Sequence, residues 1–172
     1  MKIKVREITK GCKFEFIDKG EWIDLRAAED VELNAPQAGT QYEVNGNKYR
    51  DVSFDSKLIP LGIAMALPKG YEAVMAPRSS SYGKLGIMQA NHLGIFDQSF
   101  AGNGDQWLLN AVAFRKTFIK KGDRICQFRI QLSQKATFWQ KLKWLFTSKI
   151  EFEWVDNLEG PDRGGFGTTN LS

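Results

Sequence analysis

Cys126-Gln127-Phe128-Arg129-Ile130-Gln131-Leu132 sets four apolar side chains on one face of an extended segment and three long polar ones on the other. Successive side chains of a strand point to opposite faces, so this is the pattern of a half-buried β-strand. The same period recurs outward in both directions. Ile3 and Val5 alternate with lysines, and Phe14 and Phe16 flank Glu15. Leu61, Ile63, Met65 and Leu67 alternate with Gly62, Ala64 and Ala66, while Ile150, Phe152 and Trp154 alternate with Glu151 and Glu153. Asn45-Gly46 lies between short Tyr- and Val-containing segments and signals a hairpin turn. Many short strands with frequent turns predict an all-β sandwich, jelly roll or barrel.

One segment departs from this period. Phe138, Trp139, Leu142, Leu145 and Phe146 recur at helical spacing with Lys141 and Lys143 between them, which predicts a short amphipathic helix inserted at about residues 136–148. Such a helix can lie on a membrane or bind a partner, or it can cover an open end of a sheet. With 172 residues the chain suits one core. Residues 1–155 are expected to form that domain. Residues 156–172, rich in Gly, Thr and Asp, are expected to form a mobile arm.

Composition narrows the chemistry. No apolar run approaches the roughly 20 residues that span a bilayer, and Met1-Lys2-Ile3-Lys4-Val5 lacks the apolar stretch of a signal peptide. A cytoplasmic protein without a membrane is expected. One histidine, His92, and two separated cysteines, Cys12 and Cys126, are too few for a zinc cage and suit free thiols. The net charge of +4 is compatible with an anionic partner, but no basic stripe or named nucleic-acid motif is present.

Four polar clusters interrupt the strands. Pro77-Arg78-Ser79-Ser80-Ser81-Tyr82-Gly83 combines a guanidinium, hydroxyls and a glycine that can meet phosphate oxygens, or it is only a serine-rich loop. Asn91 to Gly102 reads as a tight hairpin in which Asp97 follows two large apolar residues. Asp97 is then either a partly desolvated base or a turn cap. Lys121-Gly122-Asp123-Arg124-Ile125-Cys126-Gln127 reads as a turn into a strand and leaves only Gln127 without a structural reason. Arg163-Gly164-Gly165-Phe166-Gly167-Thr168-Thr169 could close over a nucleotide, with Arg163 on phosphates and Phe166 on a base.

In order and spacing these clusters, with Ile23-Asp24-Leu25-Arg26-Ala27-Ala28 before them, resemble the five motifs of the homotrimeric dUTP diphosphatases, within the wider superfamily that includes dCTP deaminases. The resemblance runs from Trp22 to Thr169. It implies a distorted jelly-roll (β-clip) fold and hydrolysis of dUTP to dUMP and pyrophosphate. Asp97 would activate the attacking water. Asn91 and the backbone around Gly94 would read uracil, and Phe100 would lie under the deoxyribose. Arg78, Ser79, Ser80 and Gln127 would hold phosphates, while Arg163 and Phe166 would cap the γ-phosphate and the base. Mg²⁺ would be held mainly by the triphosphate, with Asp24 a candidate for contact through water. A homotrimer with shared sites would follow, the arm of one subunit closing over another.

The chain departs from the family pattern in carrying Phe100 for the usual tyrosine, a lengthened connection at Ala101–Trp107, and Arg163 set closer to Phe166. A dCTP deaminase is the nearest enzymatic alternative. It needs a proton-shuttling glutamate beyond the third motif, and no glutamate occurs between Glu72 and Glu151. A non-catalytic protein-binding module would be expected to lose Asp97, Arg78 or Gln127, and all three are present.

Overall fold

The opening heptapeptide lies inside the nine-residue strand Arg124–Leu132 of this computed structural model, which describes residues 1–14, 21–146 and 149–164. In chain order the first strands are β1 (Lys2–Glu7), β2 (Ile23–Arg26), β3 (Val31–Leu33), β4 (Gln37–Val44) and β5 (Asn47–Ser53). Next come β6 (Ser56–Pro60), β7 (Ile63–Ala66), β8 (Tyr71–Pro77), β9 (Ile87–Gln89) and β10 (Gly94–Phe96). The remainder are β11 (Leu108–Ala113), β12 (Thr117–Ile119), β13 (Arg124–Leu132) and β14 (Glu151–Val155), with one helix, α1 (Phe138–Phe146), before β14. The all-β expectation with one short helix holds.

β13 sits between β8 and β2 in a sheet ordered β10-β8-β13-β2, antiparallel to both. Phe128 and Ile130 face the core and Arg129 faces solvent. The register slips between Arg124 and Cys126, so the neighbours Ile125 and Cys126 are both fully buried. A bulge of this kind breaks strict alternation at a strand's start. A second sheet runs β14-β1-β7 and a third β6-β11-β9, with β3 paired to β12. In the core, Trp107 stacks on Phe96 with ring centroids 4.0 Å apart and meets the edge of Phe128 at 5.2 Å.

Two expectations need adjustment. Ala64 is as fully buried as Ile63 and Met65, so β7 is covered on both faces and alternation there reflects size rather than exposure. The strand starts only after Gly62, whose φ is +70°. A Cβ at Gly62 would lie 2.6 Å from Cys12 Sγ, which admits no side chain. Asn45 and Gly46 do turn the chain, with φ of 53° and 77°, as a type I′ hairpin requires. The resulting β4–β5 pair is a sheet of its own, exposed over nearly its whole length. Glu15 and Phe16 lie outside the described residues.

α1 starts in a capping box. Thr137 N donates to Gln140 Oε1 at 2.7 Å and Gln140 N donates to Thr137 Oγ1 at 3.3 Å, satisfying two donors that a helix start otherwise leaves open. The helix is moored by Gln140 Nε2 to Lys69 O at 2.6 Å and by Trp144 against Tyr71 at 5.6 Å. It buries no residue, and Phe138, Trp139, Leu145 and Phe146 are 70–80% exposed. As a cover for a sheet end it is therefore only partial. Residues 147 and 148 of the expected insertion lie outside the described part. No helix is long and apolar enough to cross a membrane among the described residues.

Candidate active site

The residues expected to hold phosphates gather at the C-terminal end of β8. There the chain passes through Arg78, Ser79 and Ser80 into a single π-helical turn, Ser81–Leu85. Arg78 Nε donates to Asp24 Oδ1 at 2.8 Å and Arg124 Nη1 donates to Asp24 Oδ2 at 3.2 Å. Asp24 reaches them because β2 pairs with β13, which sets Asp24 opposite Gln127. Ser81 is buried, accepts from Arg78 N at 3.1 Å and donates to Ile125 O at 3.0 Å. Arg78 is thus held through both backbone and side chain. Gln127 Nε2 donates to Pro77 O at 3.1 Å. Two guanidiniums share one carboxylate, leaving an excess positive charge beside the hydroxyls of Ser79 and Ser80, a setting that favours anions.

The segment from Asn91 to Asp97 approaches β8 from the Arg78 side and runs along it toward its start, with Gly94 opposite Met75 and Phe96 opposite Ala73. It is a tight turn but not a hairpin: β9 pairs with β11, β10 pairs with β8, and the two strands belong to different sheets. His92, at φ 58°, makes the reversal. Asn91 is exposed and Gly94 buried. Gln89 lies under Gly94, 4% exposed, with neither amide atom hydrogen-bonded among the described residues. Phe100 is 8% exposed and packs on Phe96 at 5.8 Å.

Asp97 combines both readings of its sequence setting. Its Oδ1 accepts Ser99 N at 2.8 Å and Ser99 Oγ at 2.5 Å, as a turn cap does. Yet its side chain is 49% exposed and faces Arg163 Nη1 at 3.3 Å. Burial pushes its pKa up, but the Ser99 hydroxyl and amide and then Arg163 outweigh this and hold it below the ordinary carboxylate value. Beside it opens a cavity of about 350 Å³ whose walls include Lys69, Glu72, Asp97, Ser99, Ser133 and Lys135.

Arg163 belongs to the same chain as the Asp97 it meets. The segment leading to it runs back over the lengthened connection, with Leu158 N donating to Asn103 Oδ1 and Asn103 Nδ2 to Leu158 O. Gly102 and Gly160 form a parallel bridge. The rest of the fifth motif, Phe166 included, lies outside the described residues. Three contributors escaped the sequence reading. Ser81 and Arg124 stood within quoted motifs but carried no role, and Asp105 stood unremarked in the lengthened connection. A carboxylate directly after Gly102-Asn103-Gly104 and two residues before Trp107 was the signal for the last.

The chain does not bring all the predicted residues together. Phe96 pairs with Ala73, so Asp97 stands level with Glu72, whereas Arg78 lies six positions further along β8. At ~3.3 Å per residue these ends are roughly 20 Å apart.

A guanidinium-lined loop that favours anions and an accessible carboxylate on an all-β frame are parts that a phosphate-ester or anhydride hydrolase can use. The dUTPase family model matches residues 24–141. The SPbeta prophage-derived deoxyuridine 5'-triphosphate nucleotidohydrolase of Bacillus subtilis is 39% identical over 170 residues, covering 98% of each chain. Among solved structures, the dUTPase of Streptococcus mutans superposes with a TM-score of 0.60 at 16% identity, covering 74% of this chain and 91% of that one. A mutant dUTPase from phage phi11 of S. aureus, described as coordinating a structural Mg(II) ion, gives 0.57 at 15% identity, covering 79% and 94%. The chain belongs to the dUTPase family.

Proposed function

We propose that the chain hydrolyses dUTP to dUMP and pyrophosphate in a site assembled between copies of itself. The observation that carries this reading is the division of the motif residues between the two ends of β8. Asp97 and Arg78 of one chain stand roughly 20 Å of strand apart, which favours their serving different nucleotides. A second copy bringing its Arg78 loop to the Asp97 end removes the gap, and a ring of three such contacts closes. Leu58, Met88 and Ile95, each 42–56% exposed, are apolar surface of the kind that self-association covers.

In this reading the Asn91–Gly94 backbone and the Asn91 side chain present donors and acceptors to uracil. The narrow turn leaves no room for a 5-methyl group. Phe100, packed on Phe96, forms the floor under the deoxyribose. Arg78, Ser79, Ser80 and Gln127 hold the phosphates. Asp97 takes a proton from water as the water oxygen bonds to the α-phosphorus, the bond to the bridging oxygen breaks, and pyrophosphate leaves. Asp24 has both oxygens engaged by arginines and acts as the brace of Arg78 rather than as a metal ligand.

No group of three or more His, Cys, Asp or Glu side chains suited to a metal ion occurs among the described residues. Mg²⁺ carried by the triphosphate would neutralise phosphate charge. Arg163 and Phe166 would complete the pocket from the arm, and a cytoplasmic location would supply the nucleotide.

Pyrophosphate release with Mg²⁺ from separate dUTP, dCTP, dTTP and UTP tests this directly. Release from dUTP alone is expected. Release from UTP at a similar rate would remove Phe100 as the sugar gate, and silence with all four would end the proposal.

A further inference from the structure

Asp105 is a charged side chain in the core, 1% exposed, in the connection where this chain is longer than its family pattern. Its carboxylate is spent on backbone. Oδ2 accepts Gly102 N at 2.9 Å, both oxygens accept Arg163 N at 3.0 Å, and Oδ1 accepts Gly164 N at 3.0 Å. A buried carboxylate is costly unless such donors surround it, and backbone amides to a charged acceptor are among the stronger hydrogen bonds. Two of the three donors come from the arm. From the outer side Asp162 Oδ1 accepts Gly104 N at 2.6 Å. Gly102 has no space for a side chain, since a Cβ there would collide with Asp162 Cα, and a Cβ at Gly104 would push on Asp162 Oδ2 at 2.9 Å.

These contacts end at Arg163, whose guanidinium lies 3.3 Å from Asp97. We infer that Asp105 is a positioning residue: it straps the arm across the connection of its own chain and thereby aims Arg163 at the Asp97 end of the site. Resting on the dUTPase reading, this adds that the root of the arm serves the carboxylate of the same chain. Without nucleotide, Arg163 pairs with Asp97. An incoming phosphate competes for the guanidinium and leaves the carboxylate free to face water. Asp105 touches neither substrate nor the reacting atoms and acts only through where it places Arg163.

Full-length wild type, Asp105→Asn, Arg163→Ala and the double variant form the test, read as kcat/KM for dUTP and as the rate of tryptic cleavage after Arg163. Asp105→Asn is expected to lower kcat/KM at least tenfold in the wild-type background and no more than twofold when Arg163 is already alanine. It is also expected to speed cleavage at Arg163. Equal losses in both backgrounds, or unchanged cleavage, would overturn the inference. Asp162→Ala removes only an exposed side chain, and the same non-additivity at smaller size is expected of it. It decides the matter if Asp105→Asn does not fold. Inactive wild-type protein whose Arg163 is still guarded by Asp105 would instead fault the dUTPase reading and spare the strap.

Discussion

Asp97 is poised by its immediate neighbours. Its carboxyl is held below the ordinary value because Ser99 and Arg163 together outweigh burial. A folded-state pKa below the unfolded one means the ionised group stabilises the fold above the unfolded value. That contribution is lost as pH falls through the folded one. In the proposed mechanism catalysis by the same carboxylate would follow the same limb, since only the ionised form accepts a proton. Removing Arg163 deletes one of the lowering influences. The acid limb of kcat/KM in Arg163→Ala is therefore expected to move to higher pH, measured on whatever residual rate survives. A limb that stays in place would show that Ser99 alone sets the base.

At the scale of elements, α1 is held by few side chains. Trp144 packs on Tyr71 while Trp139 points into solvent at 73% exposure. Trp144→Ala is expected to cost about 1–2 kcal/mol in urea unfolding, and Trp139→Ala no more than about 0.5 kcal/mol. A large loss from Trp139→Ala would mean that its ring is covered in the assembled protein. The helix was legible because its period of 3.6 breaks a period of two. How little it buries was not, because amphipathicity says which face is apolar and not whether anything lies against it. The turn at Asn91–Gly94 teaches the same lesson. A polar residue, a glycine and an apolar pair read as a hairpin, yet β9 and β10 found their hydrogen bonds on β11 and β8.

For the whole molecule, the distance along β8 makes a prediction about mixtures. In the proposed intersubunit site Asp97→Asn and Arg78→Ala would each disable one end, and each variant alone is expected to lose turnover by a hundredfold or more. Unfolded together and refolded, the two should recover a measurable fraction of wild-type rate, because some interfaces pair an intact Asp97 with an intact Arg78. No recovery, with exchange of subunits verified by mass, would place the whole site within one chain.

Period-two patterning in β1, β13 and β14, the Asn45-Gly46 turn and the motif residues from Asp24 to Arg163 were readable from the chain alone. The patterning and the turn depend on local conformation carried by neighbours in sequence, and the motif residues were singled out by their order and spacing, which resemble the family's. Tertiary structure alone decided that Gly62 must clear Cys12, that Asp24 binds Arg78 and Arg124 instead of standing free, and that Asp105 receives the arm. It also placed Arg78 and Asp97 at opposite ends of one strand. Those outcomes depend on register and on contacts between segments distant in sequence, where a shift of one residue turns a side chain to the other face.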